Sequence, residues 1–222
     1  MRTTHTPLPF ADHTLHVVEF EPSSFHEHDL LWLPHHAQLT SAGRKRKMEH
    51  LAGRIAAVHA LREHGDKTVP GIGKQRQPLW PHGMFGSISH SASTALAVVS
   101  DRPIGLDIEA IFAPQTAAEL TRSIIDSNEQ QVLQNAPLPF PLALTLAFSA
   151  KESVYKAFCA QTTALPEFAS AHITALTTTQ LTLRLLPAFS VNLAGQDICV
   201  HWCQRDKNII TLCTDSPSGK RY

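Results

Sequence analysis

Three β-rich runs, Phe85–His90, Thr94–Ser100 and Ile104–Glu109, follow one another with only three residues between each. Connections that short join antiparallel neighbours, because a parallel crossover needs a dozen residues or more. The linkers, Ser-Ala-Ser and Asp-Arg-Pro, have turn chemistry, so the stretch predicts an antiparallel meander. Long helical patterns stand on either side of it. Met48, Leu51, Ile55, Val58 and Leu61 recur at spacings of three and four within residues 40–64, and Gly65 ends that pattern. A second helix is expected over Pro141–Ala160, preceded by a short one whose N-terminus is marked by Asp126-Ser-Asn-Glu129.

An early strand is expected at Leu15–Phe20, and two or three more at the end of the chain. There Leu181, Leu183 and Leu185 alternate, as do Ile198, Val200 and Trp202. Residues 65–86, rich in glycine and proline, predict an ordered loop. The fold class is therefore α+β, with helix plus small antiparallel sheet in each half and a changeover near residues 101–110.

The chain has 222 residues, enough for one large or two small domains. Lys+Arg and Asp+Glu are both 19, which argues against a nucleic-acid partner. Apolar residues are 43% and charged ones 17%, which excludes a disordered chain. The N-terminus lacks the apolar run of a signal peptide. Pro137–Phe148, the longest apolar stretch, is too short for a transmembrane segment. All four cysteines follow residue 158 without a C-x-x-C pair, so reduced thiols in a cytoplasmic protein are expected.

Several clusters could carry chemistry. Asp107 and Glu109 alternate on one strand, so both carboxylates project from the same face and suit Mg²⁺. Glu152 and Lys156 are spaced i,i+4 on the long helix, which by itself reads as an ordinary surface pair. Ser89 and His90 are strand neighbours pointing to opposite faces, so a Ser/His nucleophile pair is excluded. No Walker A or Rossmann glycine motif occurs. Cys199, His201 and Cys203 share a strand face, but the outer two are about 13 Å apart, too far for one zinc ion. The pairs His26/His28 and His35/His36 read as surface histidines, and the basic run Arg44–Lys47 as a solvated helix face.

Taken together, Gly86-Ser-Ile-Ser-His90, Gly105-Leu-Asp107-Ile-Glu109 and Phe148-Ser-Ala-Lys151-Glu152-Ser-Val-Tyr-Lys156 resemble the three signatures of the Sfp-type 4′-phosphopantetheinyl transferases. The resemblance continues through Ala42–Lys47, Glu49–Ala57, Arg76–Pro81 and Ile209–Cys213. It implies a monomer of two similar half-domains in a pseudo-twofold arrangement, residues 1–103 on the coenzyme side and 104–222 with the metal and catalytic helix. It implies Mg²⁺ held by Asp107, Glu109 and Glu152, with Glu152 as general base and Lys156 on the phosphates of coenzyme A. Arg54 and His90 are expected at the 3′-phosphate, with Arg76, Ser89 and Lys151 as further coenzyme contacts.

The implied reaction moves the phosphopantetheine arm of coenzyme A to a carrier-domain serine and releases adenosine 3′,5′-bisphosphate. The implied partners are the aryl and peptidyl carrier domains of the enterobactin synthase, in the cytoplasm or at the inner-membrane face. A broad-range enzyme and a non-catalytic docking module are the alternatives. Residues 110–125 are a candidate docking region.

Overall fold

The computed structural model describes residues 1–162 and 167–214. The chain forms two compact units, Met1–Arg102 and a second beginning at Pro103. Both are helix-on-sheet structures of the α+β class.

The first unit opens with β1 (Thr3–Phe10) and β2 (His13–Phe20), which form a hairpin. Its two-residue turn has Ala11 and Asp12 at positive φ, 47° and 63°, the hand that matches the twist of the flanking strands. No strand was expected over Thr3–Phe10, where Pro7 and Pro9 interrupt any strand pattern. Both prolines are tolerated because β1 is an edge strand. Short 3₁₀ turns then lead to α1 (Arg44–Glu63). The expected loop contains a small ribbon, β3 (Gly71–Ile72) with β4 (Pro78–Leu79). β5 (Phe85–Ser91) and β6 (Thr94–Ser100) complete an antiparallel sheet of order β1-β2-β6-β5.

α1 lies on that sheet through Met48, Leu51, Ala52, Ala56 and Leu61, all buried. Its small residues let the helix approach closely: a Cβ on Gly53 would stand 2.8 Å from Ile88 Cγ2. Gly65, at φ +79°, ends the helix, and the Asp66 amide turns back to the Leu61 carbonyl. The basic run at its start is only partly a solvated face. Arg44 donates to the carbonyls of Pro22 and Phe25 and lies over the Phe25 ring, while Lys47 reaches Glu27 at 2.9 Å.

The second unit comprises β7 (Ile104–Ala110), α2 (Pro114–Ile124), α3 (Ser127–Asn135), α4 (Phe140–Phe158), β8 (Ala171–Leu176), β9 (Gln180–Leu185), β10 (Asp197–Arg205) and β11 (Asn208–Thr214). Its sheet runs β7-β11-β10-β9-β8, antiparallel throughout. The meander expectation fails at β7. That strand pairs with β11, a hundred residues onward, and β6 pairs with β5 and β2 instead. Four strands close the chain where two or three were expected. α2 was also unforeseen, although Pro114 at its first turn and the buried Ala117 and Ile124 are legible in retrospect. The cap of α3 forms as expected: Asp126 accepts from the amides of Asn128 and Glu129, and Glu129 accepts from Asp126. No helix of the described residues is long and apolar enough to cross a membrane.

α4 crosses the sheet over β7 and β11, burying Leu144, Ala147, Ala150 and Val154. The crossing is tightest at Gly105, where a Cβ would collide with the Ser153 carbonyl and come within 2.7 Å of the Ala157 nitrogen. Both are helix backbone and cannot rotate away. Gly105→Ala is therefore expected to lift α4 and cost about 3 kcal/mol of stability in urea unfolding. Transfer activity should fall with it, whereas an unchanged denaturation midpoint would show that the contact is not tight.

Candidate active site

β7 brings Asp107 and Glu109 to one strand face, and α4 supplies Glu152 and Lys156 one helical turn apart. Asp107 is buried and fixed at both oxygens. Oδ1 accepts from Lys156 Nζ at 2.7 Å, and Oδ2 accepts from the Ser149 hydroxyl at 2.7 Å. Lys156 also donates to the Leu106 carbonyl. Behind Asp107 runs a buried chain of hydroxyls: Ser149 Oγ meets Thr211 Oγ1 at 2.8 Å, and Thr211 Oγ1 meets Ser153 Oγ at 2.7 Å. Sequence reasoning missed Ser149, Ser153 and Thr211. The only signal was polar residues recurring on the apolar face of α4, a buried helix.

The charges explain what such a cluster can do. Burial pushes the Glu152 carboxyl up, Lys156 opposes, and Asp107 adds to the rise. Glu109 is pushed up by burial and by Asp107, and Glu152 adds to it. These three carboxylates thus feel one another, against the ammonium of Lys156. Such crowding of hard oxygen donors is relieved by a divalent cation. As placed, no three His, Cys, Asp or Glu side chains among the described residues close around a single point. The donor set fits Mg²⁺, which needs only one or two carboxylates beside waters and phosphate oxygens.

Lys151 behaves differently from the expectation. It is 4% exposed, and its ammonium bonds Glu129 at 2.7 Å and the carbonyls of Ile124 and Phe168 at 2.8 and 2.9 Å. All three hydrogens are engaged, so the coenzyme contact expected of Lys151 is replaced by a structural one. Glu129, which the sequence marked only as a cap residue, also accepts from the Ile173 amide. A cleft of about 560 Å³ lies beside Glu152, bordered by Tyr155, Phe168, Ser170 and Phe189.

The first unit holds a second polar cleft, of about 120 Å³, lined by Arg46, Glu49, His50, Arg54, Arg76 and His90. Arg54 is 5% exposed and donates to the carbonyls of Pro70 and Gly71 at 2.7 and 2.9 Å. Burial and the like charge of Arg46 lower its pKa to about 10, so it remains cationic at neutral pH. Three arginines around so small a cleft store positive charge that an anion would compensate. Arg76 is delivered by the tip between β3 and β4, at φ +65°, a strained position for a side chain of its size.

His90 projects from β5 with Nδ1 3.7 Å from Glu49. Ser89, buried and pointing the other way, does not line this cleft. Glu49 and His50 were missed by sequence reasoning, and His35 was misread as a surface residue. His35 is buried, with Nε2 2.8 Å from His50 Nε2. Burial and the nearby Arg54 lower the His50 pKa to about 3, so this ring is neutral in the folded protein.

Two family models match the chain in succession. The family model described as the 4′-phosphopantetheinyl transferase N-terminal domain matches residues 35–100, and that of the 4′-phosphopantetheinyl transferase superfamily matches residues 103–213. The chain belongs to this superfamily and is an enzyme of its kind. Enterobactin synthase component D of Salmonella typhimurium is 66% identical over 212 residues, covering 96% of this chain and 90% of the relative. Its namesake in Escherichia coli K12 is 56% identical over 213 residues, covering 96% and 98%. The 4′-phosphopantetheinyl transferase PptT of Mycobacterium tuberculosis is 33% identical over 152 residues, covering 64% of each chain.

The buried pair yields a stability prediction. Glu129→Gln should cost about 3–5 kcal/mol, because it strands the Lys151 ammonium. Adding Lys151→Met should recover part of that loss in urea unfolding. If the double variant is no more stable than the single one, the stranded charge is not the cause.

Proposed function

We propose that this enzyme transfers the 4′-phosphopantetheine arm of coenzyme A to a serine of the aryl and peptidyl carrier domains of enterobactin biosynthesis. The observation that carries the reading is the cluster of Asp107, Glu109, Glu152 and Lys156, with Asp107 held at both oxygens. It stands within a chain that is 66% identical to an enterobactin synthase component D.

Asp107, Glu109 and Glu152 would hold Mg²⁺. When bound, the ion neutralises charge on the pyrophosphate of coenzyme A. The protein's own groups do the rest. Glu152, directly or through a water it orients, takes the proton of the carrier serine. The serine oxygen forms a bond to the phosphorus beside the pantetheine arm. The bond from that phosphorus to the bridging oxygen breaks, and adenosine 3′,5′-bisphosphate leaves. Lys156 stabilises negative charge growing on the phosphate oxygens.

Arg54, Arg76 and His90 in the first unit would take the 3′-phosphate, with Arg46 beside them. The apolar side of the cleft beside Glu152, from Phe168 and Phe189, suits the uncharged arm. A monomer working in the cytoplasm or at the inner-membrane face goes with this reading.

The test is the intact mass of an apo aryl carrier domain incubated with the protein, coenzyme A and Mg²⁺. A gain of one phosphopantetheine is expected with the wild type and a near-complete loss with Glu152→Gln. No gain on aryl or peptidyl carriers would leave a non-catalytic docking module. Separately, Arg54→Ala should raise KM for coenzyme A with little change in kcat, because the 3′-phosphate is remote from the reacting phosphorus. The variant should also handle 3′-dephospho-coenzyme A and coenzyme A alike. A variant that still strongly prefers coenzyme A would remove Arg54 from that role.

A further inference from the structure

A cavity of about 310 Å³ in the first unit, distinct from the arginine cleft, is lined by Asp12, His13, His16, Glu63, His64 and Asp101, among others. The turn of the β1–β2 hairpin supplies Asp12 and borders His13, β2 supplies His16, and the end of α1 supplies Glu63 and His64. His16 is 3% exposed, and its Nε2 is fully buried without a hydrogen-bond partner. That atom stands 3.2 Å from Glu63 Oε1, in a geometry that makes no hydrogen bond. A buried ring nitrogen facing a carboxylate oxygen is costly unless a proton or a metal cation sits between them.

The spacing has a chemical meaning. Zinc ligands lie about 2.0–2.1 Å from the ion, so two of them at a tetrahedral angle are about 3.3 Å apart. The histidines are also prepared in the manner of metal ligands, each with one ring nitrogen already engaged. His13 Nδ1 donates to the Ala11 carbonyl at 2.9 Å, which leaves Nε2 as its lone-pair atom. His64 Nε2 donates to the Val99 carbonyl at 3.2 Å, which leaves Nδ1. His16 Nδ1 is 3.0 Å from His5 Nε2. His5 in turn stacks on His59 at 3.7 Å. Where His5 Nε2 accepts from His16 Nδ1, the lone pair of His16 lies on Nε2.

We propose that His16 and Glu63, completed by His13 or His64, form a site for a borderline divalent metal ion such as Zn²⁺, separate from the catalytic carboxylates. Imidazole and carboxylate ligands suit such ions. Two ligands stand at bite distance, and the third would come from a shift of the backbone that carries His13 or His64, with the ring's carbonyl contact kept, since no three such side chains meet as placed among the described residues. The bound ion would tie the N-terminal hairpin to the end of α1.

The experiment uses the full chain stripped with a chelator, titrated calorimetrically with Zn²⁺ and followed by absorption with Co²⁺. One equivalent of Zn²⁺ is expected, with the strong visible band of tetrahedral Co²⁺. Glu63→Gln, at a half-exposed position, should weaken binding by about tenfold or more, and His16→Asn should do the same. Asp107→Asn should leave the titration unchanged, and Glu63→Gln should leave phosphopantetheine transfer unchanged. The proposal is overturned if the wild type binds no Zn²⁺, or if Glu63→Gln and His16→Asn both bind as the wild type does. It also falls if His26→Ala with His28→Ala abolishes the site.

Discussion

The contact of α4 with β7 at Gly105 is the constraint on which the carboxylate cluster of the second unit depends. With no side chain there, helix backbone comes down onto strand backbone, and Lys156 reaches Asp107 at 2.7 Å. The same approach puts Ser149 on the other Asp107 oxygen and locks Ser149, Ser153 and Thr211 into one buried network. A carboxylate so held has lost its rotamer freedom before any ligand arrives, which is how a site becomes preorganised. The buried pair of Glu129 and Lys151 secures the helix from its far side, fastening α4 to the start of α3, to β8 and to the turn at Phe168.

The two units store charge of opposite sign in their clefts. The first packs Arg46, Arg54 and Arg76 around a small cavity and leaves Arg54 buried and cationic. The second crowds three carboxylates so that burial and mutual repulsion push Glu109 and Glu152 up. Each arrangement is unfavourable alone, and in the proposed function each is relieved by its ligand: a phosphate in the first, a divalent cation in the second. This destabilisation of the empty site is the ordinary cost of binding groups that are highly charged.

Local signals in the sequence carried well where one element decided the outcome. The period of α1, its stop at Gly65, the capping box of α3 and the alternation of Leu181, Leu183 and Leu185 all appear as read. Long-range pairing was less legible. β7 looks like the third strand of a meander, and only the structure shows it joining β11. β1 was hidden by two prolines that an edge strand can accommodate. At the site, the strand alternation of Asp107 and Glu109 and the helical spacing of Glu152 and Lys156 were visible, but each also fits an ordinary surface. Lys151 illustrates the limit. Its motif position suggested a ligand contact, and its partner Glu129 lies 22 residues away on another helix.

The central claim is that the cluster around Asp107 is a divalent-cation site completed by the coenzyme. Titrating Mn²⁺ into the protein in the presence of coenzyme A, with bound ion counted by electron paramagnetic resonance, tests it directly. The account predicts one ion per chain, displaced by Mg²⁺ and lost in Asp107→Asn. Binding that survives Asp107→Asn, or no binding with coenzyme A present, would contradict it.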